Sequence, residues 1–222
     1  GGRRIVIEEA VDVRQFPEAN LIQVTSSTDA LQMIAAFHRN RFTIPVIGVT
    51  GSNGKTIVKE WLYHLLSPQY TIVKNPGSYN SQVGVPLSVW QLQPYHTLGI
   101  FEAGISRPGE MEKLQRIIRP TIGVFTTLGT AHDENFQSGD QKISEKIKLF
   151  KEVEALICCA DQTKAFTQLK AANLPIVSWG FSSEADARIA KVENRFEVSW
   201  KGQKFDIFLP FSDTASVENA FQ

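Results

Sequence analysis

Val46 to Thr56 reads VIGVTGSNGKT, and its closing Gly54-Lys55-Thr56 has the residue types that bind a nucleoside triphosphate. Such a loop turns backbone amides toward anionic oxygens at the start of a helix, whose dipole favours negative charge there. In this reading Lys55 reaches the β- and γ-phosphates and the Thr56 hydroxyl ligates Mg²⁺. The common spacing, G-x-x-x-x-G-K-[ST], would require its first glycine at Val49, so the loop is either a shortened form beginning at Gly51 or a turn with steric glycines.

A triphosphate site also needs an acidic group for its metal. Glu102 closes the apolar run LGIFEAG, at a strand end where open α/β sheets bind ligands, although chance also leaves glutamates at strand ends. His132 lies in the loop after the next apolar run, and a lone histidine is as readily structural. Lys55, Glu102 and His132 at successive strand ends make a stronger signal together than singly. No N-K-x-D segment follows, which argues against a GTPase and for an ATP enzyme that transfers phosphoryl to something other than water.

The elements that must hold these residues are legible from periodicity. PVIGVT reads as a buried strand, and KTIVKEWLYHLL as a helix with Ile57, Val58, Trp61, Leu62, Leu65 and Leu66 on one face. TIVK, LGIFEAG, TIGVFTTL, EALICCA and LPIVSWGF read as further strands, alternating with the helices GVPLSVWQL, PGEMEKLQRII and KISEKIKLFKEV. This predicts an α/β fold with a mostly parallel sheet flanked by helices. After about Ser182 the runs ARIAKVE, RFEVSWK and KFDIFLPF predict a small antiparallel meander, turning at Lys201-Gly202. A final helix starts at Asp213 or Thr214 and is cut by the end of the chain. Residues 1–44 read as the end of an earlier domain, with strands IVIEE and NLIQV, and a joining helix carrying Leu31, Ile34, Ala35 and His38 on one stripe.

Composition narrows the classes. The 222 residues are 42% hydrophobic, enough for a sizeable core. Lys plus Arg (23) balances Asp plus Glu (23), so nothing points to nucleic acid or an anionic membrane surface. No apolar run approaches a membrane span, and none reads as a signal peptide. Cys158 and Cys159 are adjacent in an apolar run, which favours a buried strand over metal or redox chemistry and fits a cytoplasmic protein. The chain opens on GGRR without methionine, which predicts that residues precede it.

VTGSNGKTIVKE resembles the ATP loop of the Mur ligases, whose motif is a shortened T-G-[ST]-N-G-K-T. Ser52 and the Lys59-Glu60 pair make it most similar to the MurF-type branch of that family, and GSYNSQVGVPLSV, FEAG and AHDENF follow in the family's order. The resemblance covers nearly the whole chain. It implies a central ATP-binding domain over 45–222, preceded over 1–44 by the end of a UDP-sugar-binding domain. The family's C-terminal domain, which binds the incoming amino acid or dipeptide, lies outside these residues. Ile57 and Ala103 depart from the usual threonine and leucine.

The resemblance implies ATP-dependent amide formation between UDP-N-acetylmuramoyl-tripeptide and D-Ala-D-Ala through an acyl phosphate, in peptidoglycan precursor synthesis. It implies two Mg²⁺ ions, with Thr56, Glu102 and His132 as metal-site residues. Gly51, Ser52, Asn53, Gly54, Lys55 and Thr56 would hold the phosphates, and Asn219, in ENA, would contact adenine. Asn80 and Ser81 would contact phosphate or substrate. Lys146, four residues before Phe150, falls where most Mur ligases carry a carbamylated lysine, although KISEKIKLFKEV taken alone reads as an ordinary exposed lysine-rich helix. The wording also resembles the ligase half of fusions with alanine racemase. Three readings stay open: this ligase, inactive in these residues alone; a relative acting on another amino acid or on folate; and a nucleotide-binding module without turnover.

Overall fold

The computed structural model describes residues 3–127 and 135–222. Strands β1 (Arg3–Ile7) and β2 (Ala19–Gln23) pair in parallel as a separate two-stranded sheet. Helix α1 (Ser27–Arg39) follows, capped by the Ser26 hydroxyl on the Asp29 amide. The remaining strands form one sheet: β3 (Val46–Thr50), β4 (Ile72–Lys74), β5 (Leu98–Glu102), β6 (Ile122–Phe125), β7 (Ala155–Cys159), β8 (Ile176–Gly180), β9 (Ala187–Val192), β10 (Arg195–Trp200) and β11 (Gln203–Ile207). Between them run α2 (Lys55–Leu66), α3 (Gly84–Val89), α4 (Glu110–Ile118), α5 (Gly139–Ile147) and α6 (Thr163–Ala171), and α7 (Thr214–Phe221) closes the chain.

The strand order is β11-β10-β9-β8-β7-β6-β3-β5-β4. Pairing is parallel from β4 to β9 and antiparallel through β10 and β11, so the expected meander extends the main sheet rather than forming its own. Lys201 and Gly202 both have positive φ, 49° and 77°, the conformation of a tight hairpin turn. After β3 the chain moves to the β5–β4 side, then returns to place β6 on β3's other edge. That reversal sets a crevice at the carboxyl ends of β3, β5 and β6.

Alternation along the buried strands builds a core on each face. Val46 and Phe101 pack with α1, α3, α4 and α6, through Ala35, Val89, Leu114 and Leu169. Ile47, Val49 and Ile100 pack with α2, through Val58, Leu62 and Leu66. A third cluster joins Trp179, Ile189 and Phe196 to Val217 of α7.

Two helix faces differ from expectation. On α2, Ile57 and Leu65 are exposed and Lys59 is fully buried, because Lys59 points at the loop after β4, where its ammonium finds carbonyls. On α1 the buried residues are Gln32, Ala35 and Arg39, while Ile34 is exposed. Arg39 fixes the helix by donating to the carbonyls of Ile118, Phe42 and Arg119 at 3.0, 2.6 and 3.2 Å. Charged residues therefore supply anchors that hydrophobic periodicity does not register.

Both cysteines are buried and unbridged, and burial raises their thiols to about 12 (Cys158) and about 11 (Cys159), as expected of structural residues. Among the described residues no helix is long and apolar enough to cross a membrane.

Candidate active site

β3 ends at Thr50, and the chain turns through Gly51 to Gly54 into α2. Two glycines make the turn. Gly51 (φ 154°) lies so close to Thr126 that a Cβ would collide with it, and Gly54 (φ 78°) is left-handed and covered by the Asn219 side chain. Only glycine meets both demands without strain. The N-cap of α2 is Gly54, which has no side chain to cap it, so the first amides of the helix have no intrahelical acceptor. The amides of Ser52 and Asn53 donate to Thr127 O at 2.9 and 3.0 Å, while Ser52 Oγ is buried with no hydrogen-bond partner among the described residues. Lys55 Nζ folds back on Ser52 O at 2.9 Å.

Glu102, at the end of β5, is buried beside this turn. Its carboxylate accepts from Thr56 Oγ1 at 2.8 Å and from Asn80 Nδ2 at 2.5 Å. A buried carboxylate and a hydroxyl thus stand together at the helix start as hard oxygen donors. That donor set fits Mg²⁺, which takes one or two carboxylates and completes its shell with water and phosphate oxygens. The described residues contain no cluster of three His, Cys, Asp or Glu.

α5 brings two lysines over the same turn. Lys146 is buried and donates to Gly51 O at 2.7 Å. Burial, then the charges of Lys55 and Lys142, lowers its pKa to about 7. Lys55 is lowered too, chiefly by burial, with Glu102 opposing and Lys142 assisting. The three lysines line a pocket of about 210 Å³ together with Gly51, Ser52, Asn80, Ser81 and the 104–106 turn. Glu110 shapes that turn, its carboxylate accepting the amides of Ser106 and Arg107 at 2.7 and 3.0 Å. Concentrated positive charge beside a helix start and a buried carboxylate is an arrangement that suits polyphosphate.

The structure thus brings Gly51, Ser52, Lys55, Asn80, Ser81 and Lys146 to one pocket, with Thr56 and Glu102 bonded beside it. The Ser81 hydroxyl also accepts the amide of Gly84, the first residue of α3, at 3.2 Å. Asn219 sits on Gly54, and its neighbour Glu218 accepts from Thr127 Oγ1 at 3.2 Å, so α7 rests on the loop. His132 lies outside the described residues. Sequence reasoning missed Lys142 and Glu110. Lys142 had a signal: it lies one helical turn before Lys146, and like charges at that spacing weaken a helix unless something needs them.

Comparison with known proteins follows this geometry. The family model described as the Mur ligase middle domain matches residues 49–222. A UDP-N-acetylmuramoyl-tripeptide–D-alanyl-D-alanine ligase of Borreliella burgdorferi is 31% identical over 189 residues, 81% of this chain and 40% of the relative. MurF from Acinetobacter baumannii superposes with a TM-score of 0.83 at 24% identity, over 97% of this chain and 49% of that one. MurF ligase from Thermotoga maritima, solved in complex with ADP, gives 0.82 at 24% identity, over 99% and 58%. At that identity the structures establish the fold. The chain spans only part of each relative, at most 58% of the two superposed structures.

Proposed function

This chain belongs to the Mur ligase family, and from that premise we propose that it is the ATP-binding part of a ligase joining D-Ala-D-Ala to UDP-N-acetylmuramoyl-tripeptide. The observation that carries the proposal is the convergence of Lys55, Lys142 and Lys146 on a shortened phosphate loop, beside the Thr56–Glu102 pair. The name of the Borreliella relative, and the AHDENF segment, favour this acceptor over those of sister ligases.

The reaction must bring an anionic carboxylate to the γ-phosphorus of ATP. The carboxylate oxygen attacks, the β–γ bridging bond breaks, and ADP leaves from an acyl phosphate. The dipeptide amine then attacks the acyl carbon, expels inorganic phosphate and loses a proton to form the amide. Neutralising the two approaching anions is the main task, and lysines fixed in a low-dielectric pocket do it without reorganisation. Lys55 holds the β- and γ-oxygens, the α2 amides cradle them, and Lys142 faces the incoming carboxylate. Thr56 and Glu102 would hold Mg²⁺, which draws charge from the triphosphate when bound. His132 would serve a second ion, Asn80 and Ser81 the substrate side, and Asn219 the adenine.

Lys146 has a separate part in this reading. With a pKa of about 7 a substantial fraction of its amine is neutral, the form that adds CO₂. The N–C bond forms, one proton is released, and an anionic carbamate stands between two cationic lysines. The acceptor amine is bound outside these residues, so the 222-residue segment is expected to ligate little alone; robust ligation by it would overturn that point.

The acceptor is tested by assaying the full-length protein for ATP-dependent phosphate release with UDP-N-acetylmuramoyl-tripeptide, shorter muramyl precursors and folate, each with D-Ala-D-Ala or an amino acid. Release confined to the tripeptide with the dipeptide is expected. Preference for a shorter precursor or folate would reassign the chain within the family.

A further inference from the structure

Lys59 is among the largest fully buried side chains, one turn beyond Thr56 on α2, and it does not line the pocket. Burying an ammonium is costly unless its protons are satisfied. Here it donates to Asn75 O at 2.7 Å and to Gly77 O, and it stands 3.1 Å from Glu60 Oε1. Glu60 is held in turn by Lys74 at 2.8 Å. The lysine therefore ties α2 to the loop that follows β4.

That loop is clasped to Glu102. Asn75 is fully buried, its Oδ1 accepting the Glu102 amide at 2.9 Å and its Nδ2 donating to Glu102 O at 2.8 Å and Tyr79 O at 2.9 Å. The β4–β5 ladder ends at the pair Lys74 and Ile100, so the Asn75 amide replaces the missing strand and continues the pairing to Glu102. Farther along the loop, Asn80 Nδ2 reaches the Glu102 carboxylate, and Asn80 O accepts the Gly104 amide at 2.8 Å. One side of Glu102 is fixed by β3, where Val49 O accepts the Ala103 amide at 2.8 Å. The other side depends on this loop, and the loop depends on Lys59.

We propose that Lys59 and Asn75 are positioning residues that preset Glu102 for the metal ion of the nucleotide site, an inference that rests on the ATP-dependent reading above. Mg²⁺ demands near-octahedral geometry and tolerates little displacement of a ligand. A carboxylate whose backbone is held on both sides arrives already placed. A buried lysine serves here because an apolar side chain of its length would leave two loop carbonyls without donors.

The test uses the full-length protein and N-methylanthraniloyl-ATP fluorescence, titrated with MgCl₂ and repeated in EDTA. Lys59→Met removes the ammonium, and Asn75→Ser is a milder break in the clasp. Each is expected to raise the Mg²⁺ concentration for half-maximal binding by about tenfold or more, while binding in EDTA stays at its wild-type level. Glu102→Gln sets the scale, and adding Lys59→Met to it should worsen the Mg²⁺ requirement no further, because both changes act through one ligand. A wild-type Mg²⁺ requirement in either folded variant would overturn the proposal. So would equal losses with and without metal, or failure of both variants to fold, which mark a purely structural role. Absence of Mg²⁺-dependent binding in the wild type would instead sink the nucleotide reading itself.

Discussion

Lys146 Nζ donates to the carbonyl of Gly51 at 2.7 Å, joining the helix after β6 directly to the first residue of the phosphate loop. The bond places a buried amine against the turn, in one pocket with Lys55 and Lys142, and its protonation becomes a property of the fold.

Stability should therefore depend on Lys146 and pH together. The folded pKa is about 7 against an ordinary 10.5, so across that window the unfolded chain binds more protons than the folded one. The burial penalty is complete below pH 7 and is relieved as pH rises toward 10.5. Denaturant unfolding of wild type and Lys146→Met in CO₂-free buffer, which keeps the amine unmodified, compared from about pH 6 to about pH 9, should show stability rising more steeply with pH in the wild type. Parallel pH profiles would contradict this.

Arg39 ties α1 to the end of α4 through the carbonyls of Ile118 and Arg119, and to the turn after α1 through that of Phe42. Arg39→Ala strands those acceptors and removes a packed stem, and should cost about 2 to 4 kcal/mol of unfolding free energy. Urea denaturation measures it, and a change below about 0.5 kcal/mol, the range of an ordinary surface substitution, would refute the anchoring role.

Gly54→Ala combines a left-handed backbone with a collision against Asn219. Binding of an ATP analogue should weaken by about tenfold or more, since both the loop amides and α7 must shift. Gly202→Ala is the control: its φ is 77° and nothing stands where its Cβ would go. It should lose only about 1 kcal/mol of stability and keep nucleotide affinity. Equal binding by both variants would contradict the account.

Much of this was readable from the chain. The run VIGVT, apolar without alternation, requires a strand covered on both faces, and the glycines before Lys55 require a turn into a helix. The meander's direction followed from its turn residues. What periodicity misses is where a polar side chain finds partners. Lys59 and Arg39 are charged positions that read as solvent-facing on their helices, yet both are buried because backbone carbonyls from distant elements converge on them. Ile57 and Ile34 are exposed for the complementary reason. In the site, Lys55, Thr56 and Glu102 announced themselves by position, whereas Asn75 acts through a contact 27 residues away that no local pattern encodes.

The central claim is that this phosphate loop drives amide formation at the expense of ATP. It is tested most directly by dipeptide-dependent phosphate release from the full-length protein with UDP-N-acetylmuramoyl-tripeptide, comparing wild type with Lys55→Ala. The account predicts release in the wild type and its abolition in the variant, with the fold intact by circular dichroism. Unchanged release from Lys55→Ala would contradict it.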